Sequence, residues 1–374
     1  MTLRPYIFKY HLRKKSSIEN YEHHNQKTLV GKTSNVQSCY QCGKCTSICP
    51  MRRVSKTSPR SSIYNANVYG LETEDIWTCL TCGLCPMECP QQVDFLSFIR
   101  EERQGKQPLS IAHLGVFTEL AELSSKLDGN IAAKTNDSKI GYFPGCVDSL
   151  DLFLHDVKTN FGEITSSSVK LLDKLGMKPQ VLDMKCCGHD VLWQGKKDVF
   201  DGLKDYNKKY LLESGIDTLV TSCAECYRTF SKDYDLGIKV VHISQLLDKL
   251  GLKIKADVTY HDPCRLGRHM GEYDAPRKAL TANGVTLKEM EHSKENALCC
   301  GVSNFMNCNE QTKALRIARM NEAEATGAKT LITTCSKCLA HFNCLKTEKD
   351  AVKKYNFDVV DLSVFLARQM EAGK

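Results

Sequence analysis

The sequence lacks the long apolar runs from which membrane spans are built. No stretch reaches the roughly 20 apolar residues that cross a bilayer, and the longest apolar segment, Leu109 to Leu127, is interrupted by polar and charged residues. Any membrane contact is therefore expected to come through a partner. The basic residues Met1 to Ser17 carry no apolar core of the kind a secretory signal needs, so a reducing cytoplasm is the expected location. Gly141, Gly145 and Gly267 do not form a G-x-G-x-x-G fingerprint, which leaves nothing in the sequence to hold a nucleotide or flavin; electrons would have to enter from another subunit. No basic stripe is interleaved with aromatics in the manner of a nucleic-acid face, and no nucleic-acid partner is expected. Tryptophan is scarce, with only Trp77 and Trp193, and core or cluster shielding is the role expected of each.

What the sequence has in abundance is cysteine: twenty in 374 residues. In a small secreted chain these would suggest disulfides, but this one is large and 25% charged, which favours thiol and metal chemistry. Eighteen of the twenty fall into four ordered motifs. The formal net charge of +7 counts every cysteine as neutral; cluster ligands are thiolates, so the basic residues partly offset bound clusters.

Cys39, Cys42, Cys45 and Cys49, followed by Pro50, follow C-x2-C-x2-C-x3-C-P, and Cys79, Cys82, Cys85 and Cys89, followed by Pro90, repeat it. In this pattern three closely spaced cysteines wrap one cluster while the fourth reaches the other. The expected ligand sets are Cys39, Cys42, Cys45 and Cys89 for one [4Fe–4S] cubane, and Cys79, Cys82, Cys85 and Cys49 for the second. Zinc accounts for a single C-x2-C pair but not for eight cysteines in interleaved order. Gly43 and Gly83 let the backbone pass close to the cluster sulfurs.

Beyond a polar stretch at Asp128 to Ser138, short apolar strands alternate with longer amphipathic helices, the pattern of parallel α/β units. Strands are expected at Ile140 to Phe143, Gln180 to Leu182, Thr218 to Thr221 and Val240 to Ile243. A second series is expected at Val258 to His261, Val285 to Glu289, Thr330 to Thr333 and Asp358 to Val360. The halves repeat one another: Cys146 recurs as Cys264, Cys186-Cys187-Gly188 as Cys299-Cys300-Gly301, and Cys223-x-x-Cys226 as Cys335-x-x-Cys338, at offsets of 118, 113 and 112. The expected fold is α/β with a small α-helical ferredoxin-type unit in front, the two α/β repeats being related by pseudo-twofold symmetry. The expected divisions are a basic arm at 1–35, with its Tyr6-Ile7-Phe8 patch, a two-cluster unit at 36–105 leaving by a helix from Val93 to Arg103, a helical linker at 106–138, and α/β repeats at 139–256 and 257–374.

Each repeat carries five cysteines where a cubane needs four. Cys223 and Cys335 both follow an apolar strand and open a helix, whose N-terminal dipole favours thiolate. Together with Phe143-Pro144-Gly145-Cys146, Cys223-Ala224-Glu225-Cys226, His261-Asp262-Pro263-Cys264-Arg265 and Cys335-Ser336-Lys337-Cys338, these elements resemble the duplicated CCG domain. That domain occurs in heterodisulfide reductases and in several lactate, glycolate and glycerol-3-phosphate dehydrogenase subunits. A two-cluster unit ahead of two such domains is similar to the D-type subunit of the heterodisulfide reductase family, equivalent to a fusion of its C and B subunits. The resemblance covers roughly residues 36 to 365.

It implies a noncubane [4Fe–4S] cluster on Cys146, Cys186, Cys187, Cys223 and Cys226, and another on Cys264, Cys299, Cys300, Cys335 and Cys338, although one half could hold a cubane or zinc instead. It also implies reduction of the coenzyme M–coenzyme B disulfide or a similar one, the clusters meeting at the S–S bond. Cys187, Cys300, Arg265 and His269 are the expected reaction-site residues. Arg228, Arg268, Lys185 and Lys337 are candidates to meet substrate anions, and His189, His261 and His341 to donate protons. Cys308 and Cys344 lie outside the motifs and are expected to be packing residues. The implied partners are an electron-donating redox subunit, a membrane cytochrome b or a soluble flavoprotein, in a hetero-oligomer. Two other readings stay open: a non-catalytic electron relay between a flavoprotein dehydrogenase and quinone or a membrane cytochrome, and action on another sulfur compound.

Overall fold

The structure, a computed structural model, describes residues 34–70, 73–108, 111–127, 137–302 and 308–373. Residues 1–33 of the basic arm, with its Tyr6-Ile7-Phe8 patch, and residues 128–136 of the polar stretch lie outside the described residues.

The N-terminal unit is built of short helices, Lys44–Ile48, Pro59–Val68, Thr73–Thr78, Leu84–Met87 and Phe95–Arg103. Two of them, Lys44–Ile48 and Leu84–Met87, begin immediately after Gly43 and Gly83, in the middle of the two cysteine motifs, and pack on one another. The last helix starts at Phe95 rather than Val93 because Asp94 is its N-cap: the carboxylate accepts the Ser97 amide at 3.0 Å. Its apolar side joins Phe95, Phe98 and Ile99 to Val36, Ile63, Ile76 and Trp77 in a small core.

The rest of the chain forms two four-stranded parallel sheets of identical topology. The first has order β2-β1-β3-β4, with β1 Ile140–Phe143, β2 Gln180–Val181, β3 Thr218–Thr221 and β4 Lys239–His242. The second has order β6-β5-β7-β8, with β5 Asp257–Tyr260, β6 Thr286–Leu287, β7 Thr330–Thr333 and β8 Asp358–Asp361. All eight strands lie at the expected places: β1, β3 and β7 coincide with the expectation, and the other five differ from it by one or two residues at one or both ends. β6 is the most shortened, since as an edge strand it pairs only with β5, at Asp257 and Val258. The central strands are buried over most of their length, as helices on both faces require.

The halves pack reciprocally about a pseudo-twofold axis. Helix Gly162–Lys174 of the first repeat packs on helix Leu362–Ala372 of the second, and helix Asp274–Thr281 of the second packs on the turns Ile243–Gln245 and Leu247–Lys249 of the first. One continuous core results, drawing Tyr142, Leu171, Leu172, Val220 and Val241 from one half and Val258, Tyr260, Ile332, Phe365 and Leu366 from the other. Matched tyrosines mark the symmetry: Tyr142 hydroxyl meets Ser222 Oγ at 2.9 Å, and Tyr260 hydroxyl meets Thr334 Oγ1 at 2.9 Å. No helix among the described residues is long and apolar enough to cross a membrane.

Candidate functional site

In a sheet of order 2-1-3-4 the chain leaves strands 1 and 3 in opposite directions, so a crevice opens at their carboxyl ends. All three cysteine segments of each repeat lie there. Cys146 is three residues beyond β1, Cys186 and Cys187 follow β2, and Cys223 follows β3 by two residues. In the second sheet Cys264 follows β5, Cys299 and Cys300 follow β6, and Cys335 follows β7. Topology thus gathers each set of five, although its members are as many as 80 residues apart in the sequence.

The glycine of each Cys-Cys-Gly segment has a steric reason. Gly188 and Gly301 have φ of +79° and +90°, and a Cβ on them would lie 2.7 Å from the Phe200 ring and 2.5 Å from the Thr312 carbonyl oxygen. In the second set all five thiols form one chain of contacts, and in the first Cys186, Cys187, Cys226 and Cys223 do. Cys300 and Cys338 sulfurs are 3.2 Å apart. Hydrogen bonds from Cys186 and Cys226 hold the Cys187 thiol well below its ordinary value, and those from Cys299 and Cys338 do the same for Cys300. Burial pushes Cys146 well up.

In the N-terminal unit one cavity is lined by Cys39, Cys42, Cys45 and Cys89, and another by Cys49, Cys79, Cys82 and Cys85, with Cys85 bordering both. Each motif's fourth cysteine lines the cavity of the other motif's first three. Burial followed by repulsion from Cys82 and Cys79 pushes Cys49 to about 12, and burial with neighbouring thiolates raises Cys85 well above the ordinary range.

None of the twenty cysteines is paired in a disulfide. Crowding sulfurs at buried sites is costly unless positive metal neutralises them as thiolates. Two four-cysteine cavities and two five-cysteine crevices therefore fit iron–sulfur clusters. Cys344 is partly buried against the core, whereas Cys308, expected to be a packing residue, is exposed. Its distance from the motifs said nothing about how the tertiary fold would cover it.

The two-cluster unit is fixed to the second repeat through the loop between Cys79 and Cys82. Arg265 donates to the Thr81 carbonyl, to the Thr81 hydroxyl at 2.6 Å, and to Nε2 of His189 at 3.0 Å. His269 Nε2 lies 3.0 Å from the same carbonyl, and Arg268 donates to the Cys82 carbonyl at 2.7 Å. Cys82 shares a small core with Cys299, against which Cys49 and Cys264 pack. Arg103, fully buried, donates to the carbonyls of Ile76 (2.7 Å), Cys79 (2.9 Å) and Trp193 (2.8 Å). Trp193 sits where three units meet, its ring under the guanidinium groups of Arg265, Arg228 and Arg100 at 4.5, 5.0 and 5.6 Å.

The two repeats meet directly at their C-x-x-C motifs. Lys337, buried, forms ion pairs with Asp190 and with Glu225, the latter at 2.5 Å. Burial would lower the Lys337 ammonium, but Asp190 and Glu225 outweigh it and hold it well above its usual value. Burial pushes the Glu225 carboxyl up to about 7, against the pull of Lys337. Asp190, Glu225, Thr81 and Arg103 were absent from the sequence-derived site. The signal for Glu225 was available in the register of the two repeats, which places it opposite Lys337 at the third position of each C-x-x-C.

The other sequence candidates divide. His189 Nδ1–H donates to Thr229 Oγ1 at 2.8 Å, and burial with the Arg265 charge pushes the imidazole well down. His341 Nδ1–H donates to the Cys300 carbonyl at 2.9 Å. A ring nitrogen of His261 lies within 4.8 Å of the Cys300 and Cys338 sulfurs. Arg228 pairs with Asp233, and Lys185 is a half-buried residue that donates to the Leu127 carbonyl and lies over the Tyr206 ring.

Comparison with known proteins agrees with this architecture. Residues 35–93 match the 4Fe-4S dicluster domain family, and 140–231 and 258–343 each match the cysteine-rich CCG domain family. The chain is 32% identical over 219 residues to the D-type subunit of the dihydromethanophenazine:CoB–CoM heterodisulfide reductase of Methanosarcina mazei, a match covering 53% of this chain and 51% of that one. It thus spans about half the length of that relative. It is 26% identical over 219 residues to an EtfAB:quinone oxidoreductase of Syntrophomonas wolfei, covering 53% of this chain and 30% of that one. Among solved structures, a hypothetical protein from Helicobacter pylori shares the fold, with a TM-score of 0.52 at 12% identity over 76% of this chain and 60% of that one. The chain belongs to the iron–sulfur proteins that join a 4Fe–4S dicluster domain to a duplicated cysteine-rich CCG domain, and it is similar to the D-type subunits of heterodisulfide reductases.

Proposed function

We propose that this chain is the iron–sulfur catalytic subunit of a disulfide reductase of the heterodisulfide type, cleaving an unsymmetrical disulfide to two thiols at its paired CCG sites. The observation that carries this reading is the contact between the two complete five-cysteine sites, closed by Lys337 against Glu225 and Asp190. The second supporting feature is the packing of Cys49 and Cys82 against Cys264 and Cys299, which puts the dicluster unit next to one of these sites.

When bound, iron–sulfur clusters supply the one-electron chemistry that the chain's own side chains lack. Cys39, Cys42, Cys45 and Cys89 would hold one cubane, and Cys49, Cys79, Cys82 and Cys85 the other. Cys146, Cys186, Cys187, Cys223 and Cys226 would hold the first CCG cluster, and Cys264, Cys299, Cys300, Cys335 and Cys338 the second. The remaining side chains position and neutralise. Arg265 and His269 fix the Thr81 loop, so the dicluster unit is held against the second repeat rather than tethered beside it. Arg268 places positive charge beside the sulfurs of Cys82, Cys264 and Cys299. Lys337 does the same for Cys146, favouring its thiolate, while Asp190 and Glu225 keep the ammonium from standing alone in the core. Trp193, with His189, His269 and three arginines around it, closes the junction of the three units to water.

Reduction of a disulfide to two thiols takes two electrons and two protons. Electrons would enter from a partner redox protein, in the cytoplasm or at a membrane through that partner. A second reading, an electron relay between a flavoprotein and quinone, is favoured by the similarity to EtfAB:quinone oxidoreductase. The test that separates them uses the reconstituted protein with reduced viologen and a coenzyme M–coenzyme B-type heterodisulfide. Disulfide-dependent viologen oxidation supports the reductase, and its absence together with unperturbed cluster signals supports the relay.

A further inference from the structure

The two CCG sites are not equivalent, and one of the differences is an imidazole. His261 follows β5 and belongs to the segment leading to Cys264; the position three residues before Cys146 in the first repeat is Phe143. The His261 side chain is buried, and its ring packs edge-on against Phe342, centroids 4.9 Å apart. Its Nδ1 accepts a hydrogen bond from Arg319 Nε at 3.0 Å. Arginine can only donate, so Nδ1 carries no proton and the neutral ring must carry it on Nε2. Burial, with Arg319 adding to it, pushes the imidazole well below its usual value and keeps it neutral.

Nε2–H is a buried donor with no hydrogen-bond partner among the described residues. A native core does not leave such a group unmet without a reason. The sulfurs of Cys300 and Cys338, 3.2 Å from one another, lie within 4.8 Å of a ring nitrogen of this histidine. Arg319 is itself immobilised: it is fully buried, donates to the His292 carbonyl at 2.6 Å and pairs with Glu322 at 2.5 Å. The first repeat has Asn207 where the second has Arg319, and Asn207 is spent on the Lys185 and Cys186 carbonyls and the Tyr234 hydroxyl. The whole device of donor, orienting arginine and carboxylate is confined to the second site.

We propose that His261, oriented by Arg319, donates an N–H···S hydrogen bond to the Cys300–Cys338 sulfurs when the second CCG site holds its cluster, and so sets that cluster's potential above its twin's. The reading rests on the clusters assigned under the proposed function but not on the disulfide as substrate. Hydrogen bonds to ligand sulfur stabilise the more negative, reduced state and raise the potential. The site adjoining the dicluster unit, which also has Arg268 beside Cys264 and Cys299, is then the preferred first acceptor, and the first repeat is filled second. His261 is a positioning residue for charge at sulfur, not a group that touches substrate.

The test is an EPR-monitored redox titration of the reconstituted full chain, comparing wild type, His261→Phe and His261→Gln. His261→Phe installs the residue the first repeat already uses, and His261→Gln retains an N–H donor. The expected result is that one CCG signal moves to lower potential in His261→Phe by about 59 mV or more, a tenfold change in its one-electron equilibrium. The other CCG signal and both dicluster signals stay in place, and His261→Gln restores part of the shift. Unchanged potentials in His261→Phe at full iron content would overturn the proposal, as would equal movement of all signals. If His261→Phe fails to assemble, nitrogen hyperfine spectroscopy of wild type labelled with 15N-histidine decides. Weak coupling at the second CCG centre supports a hydrogen bond, whereas no coupling, or the strong coupling of a direct ligand, overturns it. Each readout is independent of turnover, so an inactive protein with the expected shift would sink the reductase reading alone.

Discussion

Glu225 and Lys337 occupy the same position in the two C-x-x-C motifs and form an ion pair with each other, 2.5 Å across the pseudo-twofold axis. A duplicated domain with identical residues there would place two like charges in contact; the repeats have diverged to opposite signs. Both side chains are buried, so the pair is costly to break. Lys337→Met leaves Glu225 and Asp190 facing each other without their ammonium partner, and a loss of about 3–5 kcal/mol is expected. The triple variant Lys337→Met, Glu225→Gln, Asp190→Asn is expected to recover most of it. Chemical denaturation of the assembled protein measures both, and equal stability of Lys337→Met and wild type would refute the pairing.

Arg103 holds the dicluster unit to the first repeat by satisfying carbonyls on both sides. Arg103→Lys keeps the charge but loses the planar fork that reaches Ile76, Cys79 and Trp193 together. At least two buried carbonyls are left unpaired, at about 1–3 kcal/mol each. Limited proteolysis is expected to release the N-terminal unit faster in the variant, and single-turnover mixing with reduced viologen to show slower arrival of electrons at the CCG signals. Unchanged cleavage and unchanged transfer would show that Arg103 is merely packed.

Much of this arrangement is legible in the sequence because cluster ligation is local chemistry. The C-x2-C-x2-C-x3-C-P spacing groups the eight dicluster cysteines, and the repeat offset between Cys186-Cys187 and Cys299-Cys300 announces two related α/β units before any strand is seen. The strands are legible too, since a doubly covered parallel sheet needs short apolar runs such as Thr218–Thr221 and Thr330–Thr333. What cannot be read is which flanking charges face what. Arg265 and His269 adjoin Cys264 and look like substrate contacts, yet they are engaged with Thr81, more than 180 residues away in the chain. Lys337 looks like an anion site, yet two carboxylates already hold it. Cys308 looks like core, yet it is exposed. Each depends on which loops the tertiary fold brings together.

His242 gives the fold an acid sensitivity with a defined sign. Its ring is fully buried, with Nδ1 2.8 Å from Ser244 Oγ and Nε2 3.3 Å from the Ser222 carbonyl. Burial lowers it from 6.5 to about 4. A group depressed in the folded state contributes its stability above the unfolded value and loses it as pH falls through the folded one. The contribution is therefore whole above pH 6.5 and disappears toward pH 4, an effect of about 3 kcal/mol. His242→Gln is expected to flatten the wild-type decline in urea stability between these limits, and parallel curves for the two proteins would contradict it.

The central claim is that both five-cysteine sites act on one disulfide while the dicluster unit feeds them. Cys187 and Cys300, each buried in contact with two other thiols of its set, are the positions at which to break one site without touching the dicluster cavities. The most direct measurement is EPR of the reduced, reconstituted protein before and after addition of a heterodisulfide, in wild type, Cys187→Ser and Cys300→Ser, with viologen-linked turnover recorded on the same samples. The account predicts that the disulfide perturbs CCG signals in wild type, that either substitution abolishes turnover, and that the dicluster signals persist throughout. Full turnover with both Cys187 and Cys300 replaced would contradict it.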